Sequence, residues 1–173
     1  TNLWYNNIMK NNNNKTKAFV FDFDDTLATT EARVLVTKYG SFSQALTPSE
    51  FNEYKLADGE EFQFSEFTNP EFIIDGKPLG LIELAKDIHA EGHSLYILTA
   101  RNEIASSAIA GFLARFNITA KMIHCVGKES TTNIAKAKQT VLMTIIDNHD
   151  ITYFYDDDEA NIELASSLDC RAE

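Results

Sequence analysis

The sequence predicts an α/β domain built on a doubly wound, Rossmann-like parallel sheet. Four short runs rich in Val, Ile, Phe and Tyr show no clean alternation, which is typical of strands that helices cover on both faces. Segments with helical periodicity separate these runs, and strands that alternate with helices favour a parallel sheet. Polar residues follow each run, with Lys128 and Ser130 after the third, and the carboxyl ends of parallel strands meet at one edge. The predicted strands cover residues 18–23, 94–98, 121–126 and 151–155.

Apolar residues at helical spacing predict four helices, one before the second strand and one after each of the last three strands. The first helix is expected to close at Gly92, because glycine readily adopts the left-handed conformation at a helix end. Its apolar series is Leu79, Ile82, Leu84, Ala85 and Ile88. The other three helices are marked by apolar series within residues 105–113, 134–145 and 160–165.

Residues 28–78 interrupt the alternation of strands and helices. Connections between a strand and the next helix are typically about 2–6 residues long, so this segment is predicted to be a small cap insertion with structure of its own. Residues 33–39 and 42–46 are expected to form a β-hairpin through Gly40 and Ser41.

The second part of the insertion predicts a short helix and a group of aromatic side chains. Thr47 can cap a helix that starts at Pro48, and Glu50 completes a capping box. This helix is expected to run to about Ala57. Four phenylalanines follow, which are expected to pack the insertion onto the sheet, with substrate contact by one or two of them as the alternative. They are Phe62, Phe64, Phe67 and Phe72.

Composition indicates one globular domain with an acidic surface. The chain is 44% hydrophobic and carries a formal net charge of −11, which argues against nucleic acid or anionic membrane partners. Residues 1–17 include an asparagine tract and are predicted to be a disordered or weakly ordered tail, so residues 18–173 form the domain. The sequence ends at Glu173, close to where a fifth strand would begin, so a minimal sheet is expected. No run is long enough to span a membrane, and the isolated Cys125 and Cys170 favour a cytoplasmic protein without disulfides.

The polar residues at the strand ends suggest phosphoryl chemistry. Asp22 and Asp156 follow the first and fourth strands and can hold Mg²⁺ through carboxylate oxygens. Asp22 can attack phosphorus, and aspartyl-phosphate formation is established enzyme chemistry. Asp24 lies two residues further along an extended path, so it points the same way and can act as general acid and base. Thr99 and a lysine of the third-helix region can stabilise charge on the phosphoryl group.

Three segments resemble motifs of the haloacid dehalogenase (HAD) superfamily in their order and spacing. Asp22-Phe23-Asp24-Asp25-Thr26-Leu27 is similar to its Asp-x-Asp-x-Thr motif. Ile97-Leu98-Thr99 is similar to the second motif, an apolar strand that ends in Thr or Ser. Phe154-Tyr155-Asp156-Asp157, followed by Asn161-Ile162, is similar to the last motif. Many members have glycine at the position of Asp25. Within the superfamily, the chain is most similar to small HAD proteins of tailed phages.

The resemblance implies a role for each matching residue. Asp22 is implied to be the nucleophile and a metal ligand, and Asp24 the general acid and base, with its backbone carbonyl on the metal. Thr99, Ala100 and Arg101 are implied to bind phosphate, although Arg101 could equally bind another part of the substrate or pair with Glu103. Asp156 and Asp157 complete the Mg²⁺ site. The lysine of the third motif is ambiguous: distance to Asp156 favours Lys136, followed by Lys138 and then the early Lys128.

These features predict a Mg²⁺-dependent phosphomonoester hydrolase that acts on a small phosphorylated metabolite or nucleotide. A polynucleotide end phosphatase would share the chemistry, but it needs a basic groove that the acidic charge argues against. A catalytically weak HAD-like binding or regulatory module is the second alternative. A receiver domain fits poorly, because its phosphoacceptor would follow the third strand, whereas Asp22 follows the first. Neither the substrate nor the oligomeric state follows from the sequence.

Overall fold

The computed structural model describes residues 15–128 and 133–173, so the predictions for most of the tail and for the polar Ser130 after the third predicted strand lie outside the described residues. In chain order, the strands are β1 (Lys17–Phe21), β2 (Ala28–Thr29), β3 (Val34–Lys38), β4 (Ser41–Leu46), β5 (Glu60–Gln63), β6 (Lys77–Pro78), β7 (Ser94–Thr99), β8 (Met122–Cys125), β9 (Ile151–Tyr155) and β10 (Arg171–Ala172). The helices are α1 (Pro48–Glu53), α2 (Pro70–Ile74), α3 (Leu81–Ala90), α4 (Ser106–Ala114), α5 (Ile134–Ile146) and α6 (Glu159–Ser166). Short 3₁₀ turns cover Ser65–Thr68 and Glu103–Ala105.

Five parallel strands form the central sheet in the order β10-β9-β1-β7-β8. β1 lies in the middle, where Phe21 is in register with Ile97 of β7 and Tyr155 of β9. The predicted fold class is therefore confirmed, and β10 adds a fifth strand to the four that the sequence predicts. Because β1 ends at Phe21, Asp22 is the first residue beyond the ladder at the centre of the sheet.

Helices cover both faces of this sheet, as the continuous apolar strands predict. Phe19 and Phe21 point to the face covered by α3 and α4, whereas Ala18 and Val20 point to the face covered by α5 and α6. The predicted helices are all present, and Gly92 follows α3 with a φ of 77°. Among the described residues, no helix is long and apolar enough to cross a membrane.

The insertion carries a three-stranded antiparallel sheet in the order β4-β3-β5. It joins the domain through β2 and β6, which pair antiparallel over two residues each. The predicted hairpin is present, but its turn is Tyr39-Gly40 and lies one residue earlier than predicted. These two residues have φ values of 49° and 79°, as a type I′ turn requires, and this turn matches the strand twist.

The insertion departs from the sequence prediction in the length of α1. Thr47 and Glu50 form the predicted capping box, yet α1 ends at Glu53 instead of about Ala57. The reason is tertiary, because the Tyr54 hydroxyl accepts a hydrogen bond from Gln44 and donates one to Glu60. These bonds hold the chain extended beyond the helix.

The aromatic residues of the insertion pack mainly within the insertion. Phe62 and Phe67 cover a small core formed by Val34, Val36 and Leu46, which is separate from the cores on either side of the central sheet. Two residues of the insertion, Ala28 of β2 and Ile73 of α2, are fully buried in the main core. The insertion is therefore anchored in the main core by these two aliphatic side chains and not by the four phenylalanines that the sequence predicts for this role.

Candidate active site

Polar side chains from four parallel strand ends converge at one edge of the central sheet. This is the arrangement that the sequence predicts, and it follows from the parallel direction of the strands. The converging residues are Asp22 and Asp24 after β1, Thr99 at the end of β7 with Arg101 after it, Lys128 after β8, and Asp156 with Asp157 after β9.

Three carboxylates form the inner part of this edge. One oxygen each of Asp22, Asp156 and Asp157 lies within 4.8 Å of the others, and the first two residues are buried. The Lys138 Nζ atom lies 2.7 Å from Asp22 Oδ1 and 2.7 Å from Asp156 Oδ2. An ammonium group between two buried carboxylates offsets part of the cost of burying their charges.

Burial raises the pKa of Asp22 to about 7, although Lys138 acts in the opposite direction and Asp156 adds to the rise. Burial also raises the pKa of the Asp157 carboxyl. Burial lowers the pKa of Lys138, but the charges of Asp22 and Asp156 outweigh it, so the net shift is upward and the ammonium form persists. An all-oxygen donor set whose charges burial disfavours fits a hard divalent cation such as Mg²⁺.

Lys138, and not Lys136, is the lysine that contacts the strand-end carboxylates. Lys136 Nζ instead donates a hydrogen bond to Gln139 Oε1 over 2.6 Å. Two residues along an α-helix are separated by about 200° of rotation, so the two lysines face opposite sides of α5. Helical periodicity identifies the buried lysine, whereas sequence distance to Asp156 does not. Lys138 precedes the buried Leu142 and Ile145 by four and seven residues, so it lies on the buried face of α5.

Asn161 is a site residue to which the sequence analysis gave no role. Its side-chain amide donates to both carboxylate oxygens of Asp156, over 2.9 and 3.0 Å. The backbone N–H of Asp158 donates a third hydrogen bond to Asp156 over 3.0 Å. Because β9 ends at Tyr155 and α6 already starts at Glu159, the first turn of α6 brings Asn161 back over the strand end. These bonds fix the orientation of Asp156.

Asp24 lies apart from the three carboxylates and pairs with Arg101. Arg101 Nε lies 2.8 Å from Asp24 Oδ2, and Nη2 lies 2.7 Å from Oδ1, which makes the pair bidentate. The side chain of Arg101 is 4% exposed and that of Asp24 is 36% exposed. The carboxylate partner of Arg101 is therefore Asp24, and not Glu103.

The conformation of the turn after β1 explains why aspartate is tolerated at Asp25, where many HAD sequences have glycine. Asp25 has a φ of 56°, in the left-handed region that glycine adopts without strain and that aspartate tolerates better than most residues. The turn is closed by hydrogen bonds from the backbone N–H groups of Leu27 and Ala28 to the Phe23 carbonyl, each 3.0 Å long. Phe23 is buried and packs edge to face on Phe112, which places Asp22 and Asp24 on the polar side.

The segment 99–101 is held tightly between β7 and β8. Thr99 is fully buried, and its hydroxyl oxygen accepts a hydrogen bond from the backbone N–H of Arg101 over 3.2 Å. Gly127 donates its backbone N–H to the Arg101 carbonyl over 3.1 Å. A Cβ atom at Gly127 would clash with the carbonyl oxygen of Ala100. Gly127 therefore sets how closely the two strand ends approach.

Gly127→Ala is expected to lower the free energy of unfolding by about 1–3 kcal/mol, because the added methyl group must push the backbone at Ala100 away. The matched control is Gly80→Ala, since nothing lies within 4 Å of a Cβ atom at Gly80. Urea denaturation of both variants measures the difference. Equal stabilities for the two variants would contradict the close approach at Gly127.

A cavity of about 570 Å³ lies between the insertion and the strand ends. Its charged lining residues are Asp24, Asp25, Arg101 and Lys128, and Phe64 and Phe67 bring aromatic surface from the insertion. The remaining lining residues are Thr30, Thr68, Ala100, Asn102 and Gly127. Phe64 and Phe67 are thus the phenylalanines placed to contact a substrate, which is the alternative role that the sequence allows.

No model of a known protein family and no curated protein sequence matches this chain. Solved structures do match it. A haloacid dehalogenase-like hydrolase from Streptococcus pneumoniae is 16% identical, with 91% of this chain and 83% of that chain covered and a TM-score of 0.54. A HAD-superfamily hydrolase from Ehrlichia chaffeensis is 17% identical, with 90% and 85% covered and a TM-score of 0.50. These structures share the fold of this chain.

A chain of the Pnkp1/Rnl/Hen1 RNA repair complex is also similar in fold. It is 13% identical, with 93% of this chain and 42% of that chain covered and a TM-score of 0.58. A second structure of that complex gives a TM-score of 0.60, with 91% and 44% covered. The chain thus spans less than half the length of these two matches.

Proposed function

We propose that this chain, which has the fold of the haloacid dehalogenase superfamily, is a Mg²⁺-dependent phosphomonoester hydrolase that acts through an aspartyl-phosphate at Asp22. The observation that carries the proposal is the position of Asp22 at the end of the central strand. It is buried between Lys138 and two further carboxylates, and a second acid, Asp24, follows two residues later at the mouth of a cavity. A nucleophile, a charge-neutralising group and a proton donor thus meet at one edge.

In the first step, an Asp22 carboxylate oxygen attacks phosphorus and the bond from phosphorus to the leaving oxygen breaks. Asp24 gives its proton to that leaving oxygen, so the product leaves as an alcohol. In the second step, Asp24 takes a proton from water as the water oxygen attacks phosphorus. The bond from phosphorus to Asp22 breaks, which releases inorganic phosphate and regenerates the free Asp22 carboxylate.

The other residues stabilise charge around the phosphoryl group. Lys138 lies against Asp22 and can neutralise charge as the phosphoryl oxygens approach. The Thr99 hydroxyl accepts a hydrogen bond from the protein, which leaves its own hydrogen for a phosphoryl oxygen. Asp22, Asp156, Asp157 and the backbone carbonyl of Asp24 would hold Mg²⁺. When bound, the cation would offset the repulsion between the carboxylates and the phosphate.

The cavity supports a nucleotide-sized phosphomonoester as the substrate. Its volume of about 570 Å³ suits a small ligand. Phe64 and Phe67 offer aromatic surface on which a base can stack, and Lys128 adds a cation to the lining. Asn102 supplies hydrogen-bonding capacity for the polar edge of such a base.

A polynucleotide end phosphatase is the second candidate. It is favoured by the fold similarity to a chain of an RNA repair complex and by aromatic surface beside the strand ends. The net charge of −11 argues against an extended groove for the phosphate backbone. Salt distinguishes the two candidates, because contacts with several phosphates make binding steeply salt-dependent, whereas a single nucleotide makes few such contacts.

The test is phosphate release from p-nitrophenyl phosphate, from nucleoside monophosphates and from a 3′-phosphorylated oligonucleotide, with Mg²⁺ or with EDTA. We expect turnover in Mg²⁺ that EDTA abolishes. Protein carrying Asp22→Asn, purified in parallel, reports any contaminating phosphatase. Preference for the oligonucleotide that disappears as salt rises would select the end phosphatase. Absence of turnover on every substrate would overturn the enzyme proposal and favour a binding module.

A further inference from the structure

We propose that Arg101 is a positioning residue that orients Asp24 for proton transfer to the leaving oxygen, and that its guanidinium does not bind the phosphate. This inference rests on the proposed function, because it assigns a task to Asp24 within that reaction. It replaces the phosphate-binding role that the sequence implies for the Arg101 side chain.

The bidentate pair fixes the plane of the Asp24 carboxylate. Two parallel N–H donors of a planar guanidinium define both the position and the rotation of the acceptor group, which a single lysine ammonium cannot do. Arg101 is buried, so water competes little for these bonds. Asp24 remains partly exposed and lines the cavity, where its carboxylate can meet a leaving group.

The rest of the guanidinium is held by the insertion. Nη1 donates to the backbone carbonyl of Phe67, and Nη2 lies 3.2 Å from Thr30 Oγ1. The guanidinium carbon also lies 5.7 Å from the centre of the Phe67 ring and 5.8 Å from that of Phe23. Arg101 is thus fixed from two sides, by the core through Phe23 and by the insertion through Phe67 and Thr30.

These contacts argue against a phosphate on the same side chain. A phosphoryl oxygen that approached the Nε and Nη2 edge would have to displace Asp24, and the Nη1 group already donates to Phe67. Displacing Asp24 would release the group that must protonate the product. The pair instead stabilises the carboxylate that Asp24 becomes after it has given its proton to the leaving oxygen.

The leaving group supplies the test. An alkoxide needs a proton when it departs, whereas 2,4-dinitrophenolate does not. Because kcat/KM covers only the steps up to departure of the leaving group, loss of an oriented acid lowers kcat/KM for alkyl phosphates alone, even though Asp24 also serves as the base in the later hydrolysis step. We expect Arg101→Met to lower kcat/KM for an alkyl phosphate such as glycerol 2-phosphate by about 100-fold or more. The kcat/KM for 2,4-dinitrophenyl phosphate is expected to change less than about fivefold, as for a reaction that needs no general acid. Arg101→Lys keeps the positive charge but cannot form the bidentate pair, so it is expected to recover only part of the lost kcat/KM for the alkyl phosphate.

Asp24→Asn and Arg115→Met are the matched comparisons. Arg115 also donates to backbone carbonyls of the insertion, at Ile74 and Gly76, and its guanidinium lies over Phe112 and Phe116. Arg115→Met therefore reports the effect of loosening the insertion. It is expected to change kcat/KM for both substrates by less than about threefold, since Arg115 touches no reacting group.

Asp24→Asn should lower kcat/KM for the alkyl phosphate and not for 2,4-dinitrophenyl phosphate, as Arg101→Met does. The double variant of Asp24→Asn with Arg101→Met should lose no more activity than Asp24→Asn alone.

Equal losses on both substrates in Arg101→Met, with a raised KM, would overturn the inference and return Arg101 to phosphate binding. A loss in Arg115→Met equal to that in Arg101→Met would also overturn it. Turnover in the unsubstituted protein tests the proposed function separately. Thermal melts identify a variant that has unfolded, and Arg101→Lys then decides the question, because equal losses on both substrates in that variant would exclude the positioning role.

Discussion

Replacing Asp22 with asparagine is expected to lower the rate of phosphomonoester hydrolysis by at least about 10³-fold. Catalytic residues act together, and removal of the nucleophile alone has effects of this size or larger. Asparagine keeps the shape of the side chain but cannot form the aspartyl-phosphate. Phosphate release with Mg²⁺ measures the loss. Retention of more than about one-tenth of the activity would show that another group attacks phosphorus.

The same substitution is expected to leave the stability of the metal-free protein unchanged or higher at pH 8. The folded pKa of Asp22 is about 7 and exceeds the unfolded value of 3.8, because burial disfavours the charge. The ionised group therefore lowers stability progressively as pH rises from about 4 to 7, and asparagine removes this term. Urea denaturation in EDTA at pH 5 and pH 8 measures it. A clear loss of stability at pH 8 would give Asp22 a structural role instead.

Lys138→Met is expected to lower the free energy of unfolding at pH 8 by about 3–5 kcal/mol, because it leaves Asp22 and Asp156 buried without their shared cation. Methionine retains most of the packing of the lysine stem, so the loss is electrostatic. Urea denaturation in EDTA gives the value. Activity should fall as well, because Lys138 neutralises charge beside the nucleophile.

Lys136→Met is the matched control for this prediction. It removes the same charge from the same helix two residues earlier, where the ammonium donates a hydrogen bond to the neutral Gln139. It is expected to change stability by less than about 0.5 kcal/mol. Adding Asp156→Asn to Lys138→Met should recover part of the loss, since one of the two unpaired carboxylates is then gone. A larger loss in Lys136→Met than in Lys138→Met would reverse the assignment of the two lysines.

The sequence predicts the central sheet well because the signals for it are local. Each buried strand is a continuous apolar run, and each run ends at a polar residue whose side chain must face the sheet edge. The parallel direction then brings Asp22, Thr99 and Asp156 together without any further information. This reasoning finds the strand-end residues of the candidate site.

Features that depend on distant partners escape a reading of the sequence. Arg101 pairs with Asp24, 77 residues earlier, and is held there by the Phe67 carbonyl of the insertion. No local pattern around Arg101 distinguishes this pair from one with the nearby Glu103. The early end of α1 has the same origin, because the bonds of Tyr54 with Gln44 and Glu60 override a good helix start. The contact of Asn161 with Asp156 could not be predicted either, because it depends on the path of the chain from β9 into α6.

The two-residue ladder between β2 and β6 makes the insertion an exchangeable module. Ala28 pairs with Pro78 and Thr29 with Lys77, so the chain leaves and re-enters the domain at neighbouring points. Antiparallel partners lie about 4.5–5.5 Å apart, a gap that a hairpin turn of two residues can close. A graft could therefore replace residues 30–76 with another polypeptide while the strand order stays intact. For protein engineering, this is a natural cut site for new recognition elements, on condition that the graft fills the core position of Ile73 and supports Arg101 as Thr30 and Phe67 do.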